Sequence, residues 1–342
     1  MESTCGAAGG ETEKEPHTHA SRTRSSRTTY RVGSCSVRLA PLLLMFASFG
    51  CDKGHAPAPT PAPAPTTAPP PVAVETCTLA PIALKLPMPK RAVAIGDLHG
   101  DLDAARAAFR AAGAIDERDT WIGGDLAIIQ TGDVLDRGDD ESKIEELLER
   151  LDLEAHAHGG AVISLLGNHE LMNAAHDFRY VTPGGAKDFG GDRAHALAPG
   201  GAWAKRLAHR NVIAIVGDTV LSHAGVTAEW ASHLDELNEH SRCWLDGQEG
   251  TTPTQALTAE DSPVWTRVWG GDHVDCAALA DVLKRLGAKR MVVAHTPQQA
   301  GINAQCDGAL WRIDTGLSKH YGGPIEVLEL GDPPKILKGT RL

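Results

Sequence analysis

Five short apolar runs, each ending in an aspartate, an asparagine or a histidine, constrain this chain more than any other feature. The runs are "RAVAIGDLHGD" (91–101), "LAIIQTGDVLDRG" (126–138), "AVISLLGNHE" (161–170), "TVLSHAG" (219–225) and "RMVVAHTP" (290–297). Short apolar runs bounded by glycine are typical of buried strands. Segments 102–113 and 140–159 between them carry a helical pattern. Strands alternating with helices predict an α/β layered fold whose strand ends converge on one site.

The polar residues at these strand ends are of the types that bind divalent metals. Asp97 and His99 stand two positions apart, so on an extended backbone their side chains face the same way. Asp133 can bridge two ions with its two carboxylate oxygens. Neutral ligands for a second ion are available at the other three ends: Asn168, His223 and His295. Carboxylates combined with imidazoles suit Mn, Fe or Zn.

The same stretches contain residues suited to binding phosphate. Arg137 and Arg267 can clamp phosphate oxygens with paired N–H donors. Taken singly, each element has a structural alternative, because Asp97 can cap a helix and Asp136 can pair with Arg137 on the surface. Taken together and in order, the five motifs favour a two-metal site, in which ions about 3.5–4 Å apart polarise a phosphoryl group and activate a water.

A family resemblance rests on these motifs. "GDLHGD", "GDVLDRG", "GNHE", "SHAG" and "AHTP" together resemble the phosphoprotein phosphatase branch of the calcineurin-like metallophosphoesterases, over about residues 90–325. Within that branch, "PVWTR" and "DTGLSKHYGG" are similar to the Shewanella-like protein phosphatases. The resemblance implies an α/β sandwich of two β-sheets flanked by helices. Eukaryotic members carry a Ser-Ala-Pro-Asn-Tyr loop where this chain reads "SKHY", so Tyr321 alone corresponds to a substrate-binding residue there.

The resemblance also implies how the metal centre is built. Two divalent ions are expected, Mn²⁺ first, with Fe or Zn as alternatives. Asp97 and His99 bind the first ion, and Asp133 bridges the two. The second ion takes the remaining ligands: Asn168, His223 and His295.

Catalytic roles follow from the same resemblance. His169 is the proton donor to the leaving oxygen, and Asp136 holds its imidazole. Glu170 is expected to support the ligands without touching metal. The substrate phosphate is contacted by three residues: Arg137, Asn168 and Arg267.

The expected function is hydrolysis of phosphomonoesters on a protein or peptide, at Ser/Thr and/or Tyr. One alternative is a dinucleoside polyphosphate hydrolase of the same superfamily. Such enzymes commonly lack the aspartate found here at Asp136. The other alternative is a non-catalytic, metal-binding envelope lipoprotein, which would have no need for a proton donor such as His169.

Charge excludes one class of partner. The net charge is −11. Residues 1–74 hold seven Lys/Arg against five Asp/Glu, so the rest of the chain carries −13. Binding along a nucleic-acid backbone needs a basic face, so no nucleic-acid partner is expected. The sequence makes no prediction of oligomeric state.

The N-terminal region has the pattern of an export signal. Within residues 1–50, five arginines between positions 22 and 38 precede an apolar run at 39–50 that is too short to span a bilayer. Cys51 follows, which resembles a bacterial lipoprotein signal with a lipidated cysteine. Residues 51–76 predict an extended Ala/Pro/Thr-rich linker, and 77–342 the catalytic domain. We expect an exported protein of a bacterial cell envelope, membrane-anchored or periplasmic, with an ordinary cleaved signal as the alternative.

Four cysteines remain in the predicted catalytic domain: Cys77, Cys243, Cys276 and Cys306. None forms a Cys-x-x-Cys pair, which argues against a structural zinc site. In an exported protein, four cysteines predict up to two disulfides, and three pairings are open.

Two segments are expected to lie outside the regular core. Residues 171–215 are long and glycine-rich, and they predict a cap or rim beside the site. The histidines of this segment are expected at the surface, because the ligand set is complete without them: His176, His195 and His209. Residues 243–262 predict a second irregular insertion.

Overall fold

The computed structural model describes residues 77–248 and 253–341. The expected signal segment 1–50, the linker 51–76 and the lipidated Cys51 lie outside the described residues and stay predictions. Among the helices that are described, none combines the length and apolar character needed to cross a bilayer.

The described residues form two β-sheets and a set of covering helices. The strands are β1 (Lys85–Leu86), β2 (Ala92–Ile95), β3 (Ala127–Gln130), β4 (Ala161–Ser164), β5 (Ile213–Val216), β6 (Thr219–Ser222), β7 (Arg290–Val293), β8 (Asn303–Gln305), β9 (Leu310–Arg312), β10 (Glu326–Glu329) and β11 (Lys335–Lys338). The α-helices are α1 (Leu102–Ala111), α2 (Glu141–His156), α3 (Asn168–Ala174), α4 (Arg193–Leu197), α5 (Ala202–Leu207), α6 (Leu234–Asp246), α7 (Gln255–Thr258) and α8 (Cys276–Leu286).

The strand order explains why the predicted strand ends meet. One sheet has the order β11-β10-β2-β3-β4, in which β2, β3 and β4 are parallel. The other has the order β1-β5-β6-β7-β9-β8, in which β6, β7 and β9 are parallel. The five apolar runs are β2, β3, β4, β6 and β7, so the prediction of five strands is confirmed. Parallel neighbours end at the same edge of their sheet.

Successive side chains of a strand pack into different layers of the fold. In β2, Ala92 and Ala94 belong to an apolar cluster shared with Leu221 of the other sheet. Val93 on the same strand belongs instead to the cluster that contains Phe109 of α1. Because successive strand residues point to opposite faces, one face of each sheet meets the other sheet and the opposite face meets helices. The α/β sandwich flanked by helices is therefore confirmed.

Helix α1 starts directly after the first motif. The carboxylate of Asp101 accepts a hydrogen bond from the Ala104 amide at 3.2 Å, as a helix N-cap does. This cap sets the point at which the chain leaves the strand-end loop that holds Asp97 and His99.

Two disulfides resolve the pairing that the sequence left open. Cys77 is bonded to Cys243, and Cys276 is bonded to Cys306. Their Cα–Cα distances are 5.8 and 5.3 Å.

The expectation of an irregular insertion across 243–262 is wrong at its start. Helix α6 continues to Asp246, because Cys243, Trp244 and Leu245 are buried on its core-facing side. The helix ends at Gly247, whose φ of 86° is a left-handed conformation that glycine adopts without steric cost.

Segment 171–215 contributes the end of α3, then α4 and α5, joined by loops with two short 3₁₀ turns. His176, His195 and His209 are exposed, as expected. The segment also places Tyr180 and Arg193 against residues of the strand ends, so it does form a rim of the site.

Candidate active site

The strand-end residues of both sheets come together in one buried cluster. Asp97 and Asp133 follow β2 and β3. His223 and His295 follow β6 and β7 in the other sheet. These four side chains and those of His99 and Asn168 are all at most 7% exposed. The structure thus brings together every residue predicted to bind metal.

Among the six predicted metal ligands, the shortest side-chain contacts are those of His223. Its Nε2 is 3.2 Å from Asp133 Oδ2, 3.0 Å from Asn168 Oδ1 and 3.1 Å from His295 Nδ1. These four nitrogen and oxygen atoms therefore lie close together, as the ligands of a single ion would. Asp133, His223 and His295 have the proximity expected of a metal-binding group.

A second group of potential ligands shares Asp133. His99 Nε2 is 3.8 Å from Asp133 Oδ2 and 3.8 Å from Asp97 Oδ2. His169 Nε2 is 3.7 Å from the same Asp133 oxygen, so the geometry admits His169 as a ligand as well as a proton donor. Asp133 stands between the two groups, in the position that a bridging ligand requires.

Backbone carbonyls orient two of the imidazoles. Nδ1 of His99 is 3.0 Å from the Leu135 carbonyl oxygen, and Nδ1 of His223 is 3.1 Å from that of Thr131. A proton donated from Nδ1 to a carbonyl leaves the Nε2 lone pair free to bind a cation. Both Nε2 atoms face Asp133.

The electrostatics also favour bound cations. Burial raises the pKa of Asp97 well above its usual value, and nearby Asp314 and Asp133 raise it further. Burial together with neighbouring His223 and Arg267 lowers the pKa of His295 to about 2. Burial would raise the pKa of Asp133 too, but His223 and His169 hold it well below its usual range. Asp133 is therefore a carboxylate, and His295 is a neutral imidazole.

Several site residues adopt a left-handed backbone conformation that is uncommon outside glycine. Their φ values run from 45° to 67°: His99, Asp133, Asp136, Arg137 and His295. Such conformations cost about 1–3 kcal/mol each and persist where the surrounding structure enforces them. Their concentration at these strand ends marks the loops as a functional site.

Two glycines allow the β3 and β4 loops to approach each other. Gly132 has a φ of 94°, and a Cβ there would collide with the backbone of Gly167. A Cβ on Gly167 would in turn collide with the Asp133 carboxylate. The glycines that precede Asp133 and Asn168 are therefore required for the ligands to come together.

Glu170 supports the loop that carries Asp133. Its carboxylate accepts hydrogen bonds from the amides of Asp133 (2.9 Å), Val134 (2.9 Å), Leu135 (3.2 Å) and Gly167 (2.7 Å). The side chain is fully buried. It lies in the supporting position that the sequence predicted.

His169 is held by Asp136. His169 Nδ1 is 2.5 Å from Asp136 Oδ2. Burial alone would lower the pKa of His169, but the carboxylates of Asp133 and Asp136 raise it above the usual value. The other oxygen, Asp136 Oδ1, accepts from Asn173 at 3.0 Å and from Arg193 at 3.1 Å. Asn173 and Arg193 were not predicted from the sequence, because neither stands in a strand-end motif.

Arg137 lies between two tyrosine rings. Its guanidinium carbon is 5.1 Å from the centroids of Tyr180 and Tyr321. Its Nη1 contacts the Tyr321 hydroxyl and lies 2.8 Å from His99 Nε2. The Arg137 amide also donates to the Tyr180 carbonyl at 3.1 Å. Arg137 and Tyr321 thus lie together beside His99, and Tyr180, which the sequence did not indicate, packs on the other face of Arg137.

Arg267 lies at the edge of the site. Its side chain is exposed, and Nη1 donates to Thr296 Oγ1 at 3.3 Å, next to His295. An exposed guanidinium in this place can reach a ligand entering from solvent.

The residues present fit a metal centre. Asp97 Oδ1 and His295 Nε2 are buried and have no hydrogen-bond partner among the described residues. Buried polar atoms are normally paired with another group or bind an ion. A donor set of carboxylates, imidazoles and one amide suits a divalent transition metal.

Asp314 is a ligand-type residue that was not predicted from the sequence. It follows β9, it is 1% exposed, and burial raises its pKa to about 6. The run "ALWRIDTG" (309–316) has the same pattern as the five runs singled out above. Its signal was thus present in the sequence.

A two-sheet sandwich with carboxylates and imidazoles gathered at its strand ends is the arrangement of a metal-dependent hydrolase. Comparison with known proteins narrows this class. Residues 90–299 match the calcineurin-like phosphoesterase family. The chain therefore belongs to that family and is a hydrolase.

Particular relatives are similar to most of the described chain. Shewanella-like protein phosphatase 2 of Arabidopsis thaliana is 40% identical over 294 residues, with 71% of this chain and 75% of the relative covered. Shewanella-like protein phosphatase 1 of Plasmodium berghei is 30% identical, with 73% and 74% covered. Among solved structures, the cold-active protein-tyrosine phosphatase of a psychrophilic Shewanella species gives a TM-score of 0.64 at 25% identity, with 75% and 83% covered. The predicted resemblance to Shewanella-like protein phosphatases is confirmed.

Proposed function

We propose that this protein hydrolyses phosphomonoesters on proteins or peptides with the help of two bound divalent ions. The contact of 2.5 Å between His169 and Asp136, beside the shared ligand Asp133, carries the proposal. A serine or threonine alkoxide is a poor leaving group and needs a proton as the P–O bond breaks. An oriented imidazole at a metal centre supplies that proton.

The two ions are assigned to the ligands predicted from the sequence. Asp97 and His99 would hold the first ion, and Asn168, His223 and His295 would hold the second, with Asp133 as a ligand common to both. Bound there, the ions would supply Lewis acidity to the phosphoryl group and lower the pKa of a water, with Mn²⁺ preferred over Fe or Zn.

The protein's own residues bind phosphate and move the proton. Arg137, Asn168 and the exposed Arg267 bind and orient the phosphoryl oxygens. His169 donates its Nε2 proton to the departing oxygen. Asp136 keeps the imidazole in place and supports its positive charge. Arg193 and Asn173 in turn position Asp136 by donating hydrogen bonds to its other carboxylate oxygen.

The names of the relatives support a protein substrate. Two are named protein phosphatases, and the Shewanella structure is a protein-tyrosine phosphatase. We therefore place phosphoserine, phosphothreonine and phosphotyrosine peptides together in the proposed substrate class.

Chelated, purified protein reloaded with Mn²⁺ tests this function. The rates to compare are those on phosphoserine, phosphothreonine and phosphotyrosine peptides and on diadenosine tetraphosphate. We expect at least one phosphopeptide to be turned over faster than the dinucleotide, and only after metal is restored. Faster cleavage of the dinucleotide would instead indicate a dinucleoside polyphosphate hydrolase, and full activity without metal would contradict the mechanism.

We also propose that the protein is exported and anchored through a lipidated Cys51 to the bacterial envelope. The arginine-rich leader and its apolar run support this, and so do two disulfides, which persist mainly in oxidising compartments. Membrane fractionation of Cys51→Ala should show loss of the membrane-bound form, with Cys35→Ala as the matched control. Unprocessed chain in the cytoplasm would contradict export.

A further inference from the structure

A sixth strand end reaches the site with a carboxylate that has no assigned role. Asp314 follows β9, the parallel neighbour of β7. Gly96, directly before Asp97, packs against the Ile313–Asp314 backbone. A Cβ on Gly96 would lie 2.7 Å from the Ile313 carbonyl oxygen and 3.1 Å from the Asp314 Cα. Asp314 therefore lies beside Asp97, at the place where the two sheets meet.

The side chain of Asp314 is only partly satisfied. Its Oδ1 accepts a hydrogen bond from the Gly316 amide at 2.8 Å. Its Oδ2 is buried and has no hydrogen-bond partner among residues 77–248 and 253–341, and the same holds for Oδ1 of Asp97. Each of these two neighbouring carboxylates thus keeps one buried oxygen without such a partner.

Arg137 lies close enough to Asp97 to lower its pKa, but no Lys or Arg among the described residues forms an ion pair with Asp97, Asp133 or Asp314. Within the described chain, every ion pair made by Asp97 or Asp133 comes from a histidine, and Asp314 makes none. A buried carboxylate without a counter-charge costs several kcal/mol. Cations bound between the three carboxylates would offset this cost, as shared protons do without metal.

We propose that Asp314 is a further ligand of the metal centre, with its free Oδ2 binding the ion that Asp97 holds. The proposal rests on the metal-dependent function proposed above and adds a residue to it. It accounts for the Asp314 side chain at the end of β9, in which Oδ1 accepts a hydrogen bond from a backbone amide and Oδ2 has no partner among the described residues.

An additional carboxylate also affects which metal the site prefers. Zn²⁺ in proteins is usually four-coordinate, whereas Mn²⁺ takes more ligands and favours oxygen. A third aspartate oxygen at the Asp97 side therefore strengthens binding of Mn²⁺ more than that of Zn²⁺.

The test compares Asp314→Asn with Asp101→Asn. Asp101 is also a buried carboxylate, but it caps α1 and accepts from the Lys319 amide at 2.5 Å. Chelated protein is titrated with Mn²⁺, and bound metal is counted after equilibrium dialysis. We expect wild type and Asp101→Asn to bind two ions, and Asp314→Asn to bind one of them about 10–100-fold more weakly. The same titration with Zn²⁺ should show a smaller loss.

Thermal unfolding distinguishes a ligand from a structural residue. In chelated protein, Asp314→Asn should unfold at or above the wild-type temperature, because it removes a repelling carboxylate. Its increase in melting temperature on adding Mn²⁺ should be smaller than that of wild type. A residue that acted only through the Gly316 amide would lower the melting temperature without metal and leave the increase unchanged.

Wild-type Mn²⁺ affinity in Asp314→Asn overturns the inference while leaving the proposed function standing. Failure of wild type to bind Mn²⁺ at all overturns both. Asp314→Ala, titrated in the same way, provides the measurement if the asparagine variant is insoluble.

Discussion

The two sides of the site differ in what holds them in place. On the side of the five-stranded sheet, the loop of Asp133 is fixed by the four amide hydrogen bonds to Glu170. On the side of the six-stranded sheet, His295 leaves its Nε2 without a partner among the described residues. The Asp133 loop is therefore organised by the protein itself, whereas His295 keeps a ring nitrogen available to an ion.

The two sides also differ in how accurately their residues must be placed. The fixed side carries Asp133 and the His169–Asp136 pair, whose positions must be accurate for proton transfer. The unpartnered imidazole of His295 can tolerate the metal-free state, because a neutral imidazole is less costly to bury than a charge. Five substitutions test this comparison.

Asp133→Asn should have the largest effect, because Asp133 belongs to both groups of potential ligands. We expect a loss of activity on the order of 10⁴-fold, since two ions that each contribute several kcal/mol are weakened together. Bound metal, counted by elemental analysis, should fall below two per chain. Asp125→Asn on the surface is the control, and a fully active Asp133→Asn enzyme would exclude the bridging role.

His169→Asn should slow phosphoserine peptide hydrolysis by about 10²–10⁴-fold, the usual contribution of a general acid. Hydrolysis of p-nitrophenyl phosphate should be slowed less, because nitrophenolate leaves without a proton. Metal content should stay at two per chain, and the exposed His176→Asn should behave as wild type. Equal slowing of both substrates, or loss of metal, would make His169 a ligand or a scaffold residue.

Glu170→Gln should destabilise the metal-free protein, whereas His295→Asn should not. The glutamine would turn N–H donors toward backbone amides, at a cost of about 2 kcal/mol in the free energy of unfolding. For a chain of this size, that lowers the melting temperature by roughly 5 °C. His295→Asn should change the unfolding free energy by less than about 1 kcal/mol and should reduce the stabilisation gained from Mn²⁺. Similar losses in both chelated variants would show that the two sides are held alike.

Arg267→Ala should have the smallest effect, because the side chain is exposed and acts on substrate alone. We expect KM for a phosphopeptide to rise about 10-fold and kcat to stay within about 3-fold. Steady-state kinetics provide the measurement. Arg285→Ala, which removes an exposed ion pair with Asp281, is the control. An unchanged KM would remove Arg267 from the phosphate-binding set.

Elements that depend on neighbouring residues were predicted from the sequence, and an element boundary that depends on distant contacts was not. The apolar runs and helical patterns are local, and β2, β3, α1 and α2 lie where those patterns predicted them. The ligand types stand directly at strand ends, so their convergence followed from the rule for parallel strands. The extent of α6 beyond residue 243 was missed, because it depends on burial of Trp244 against distant residues.

By itself, the sequence determined the layered fold, the order of the site motifs and the residue types at the strand ends. These properties depend on periodicity and on short-range spacing, which a chain carries before it folds. The tertiary structure alone decided which cysteines pair, that Arg193 fixes Asp136 from a separate segment, and that Asp314 lies beside Asp97. Each of these is a contact between residues far apart in the chain, and burial and packing set such contacts.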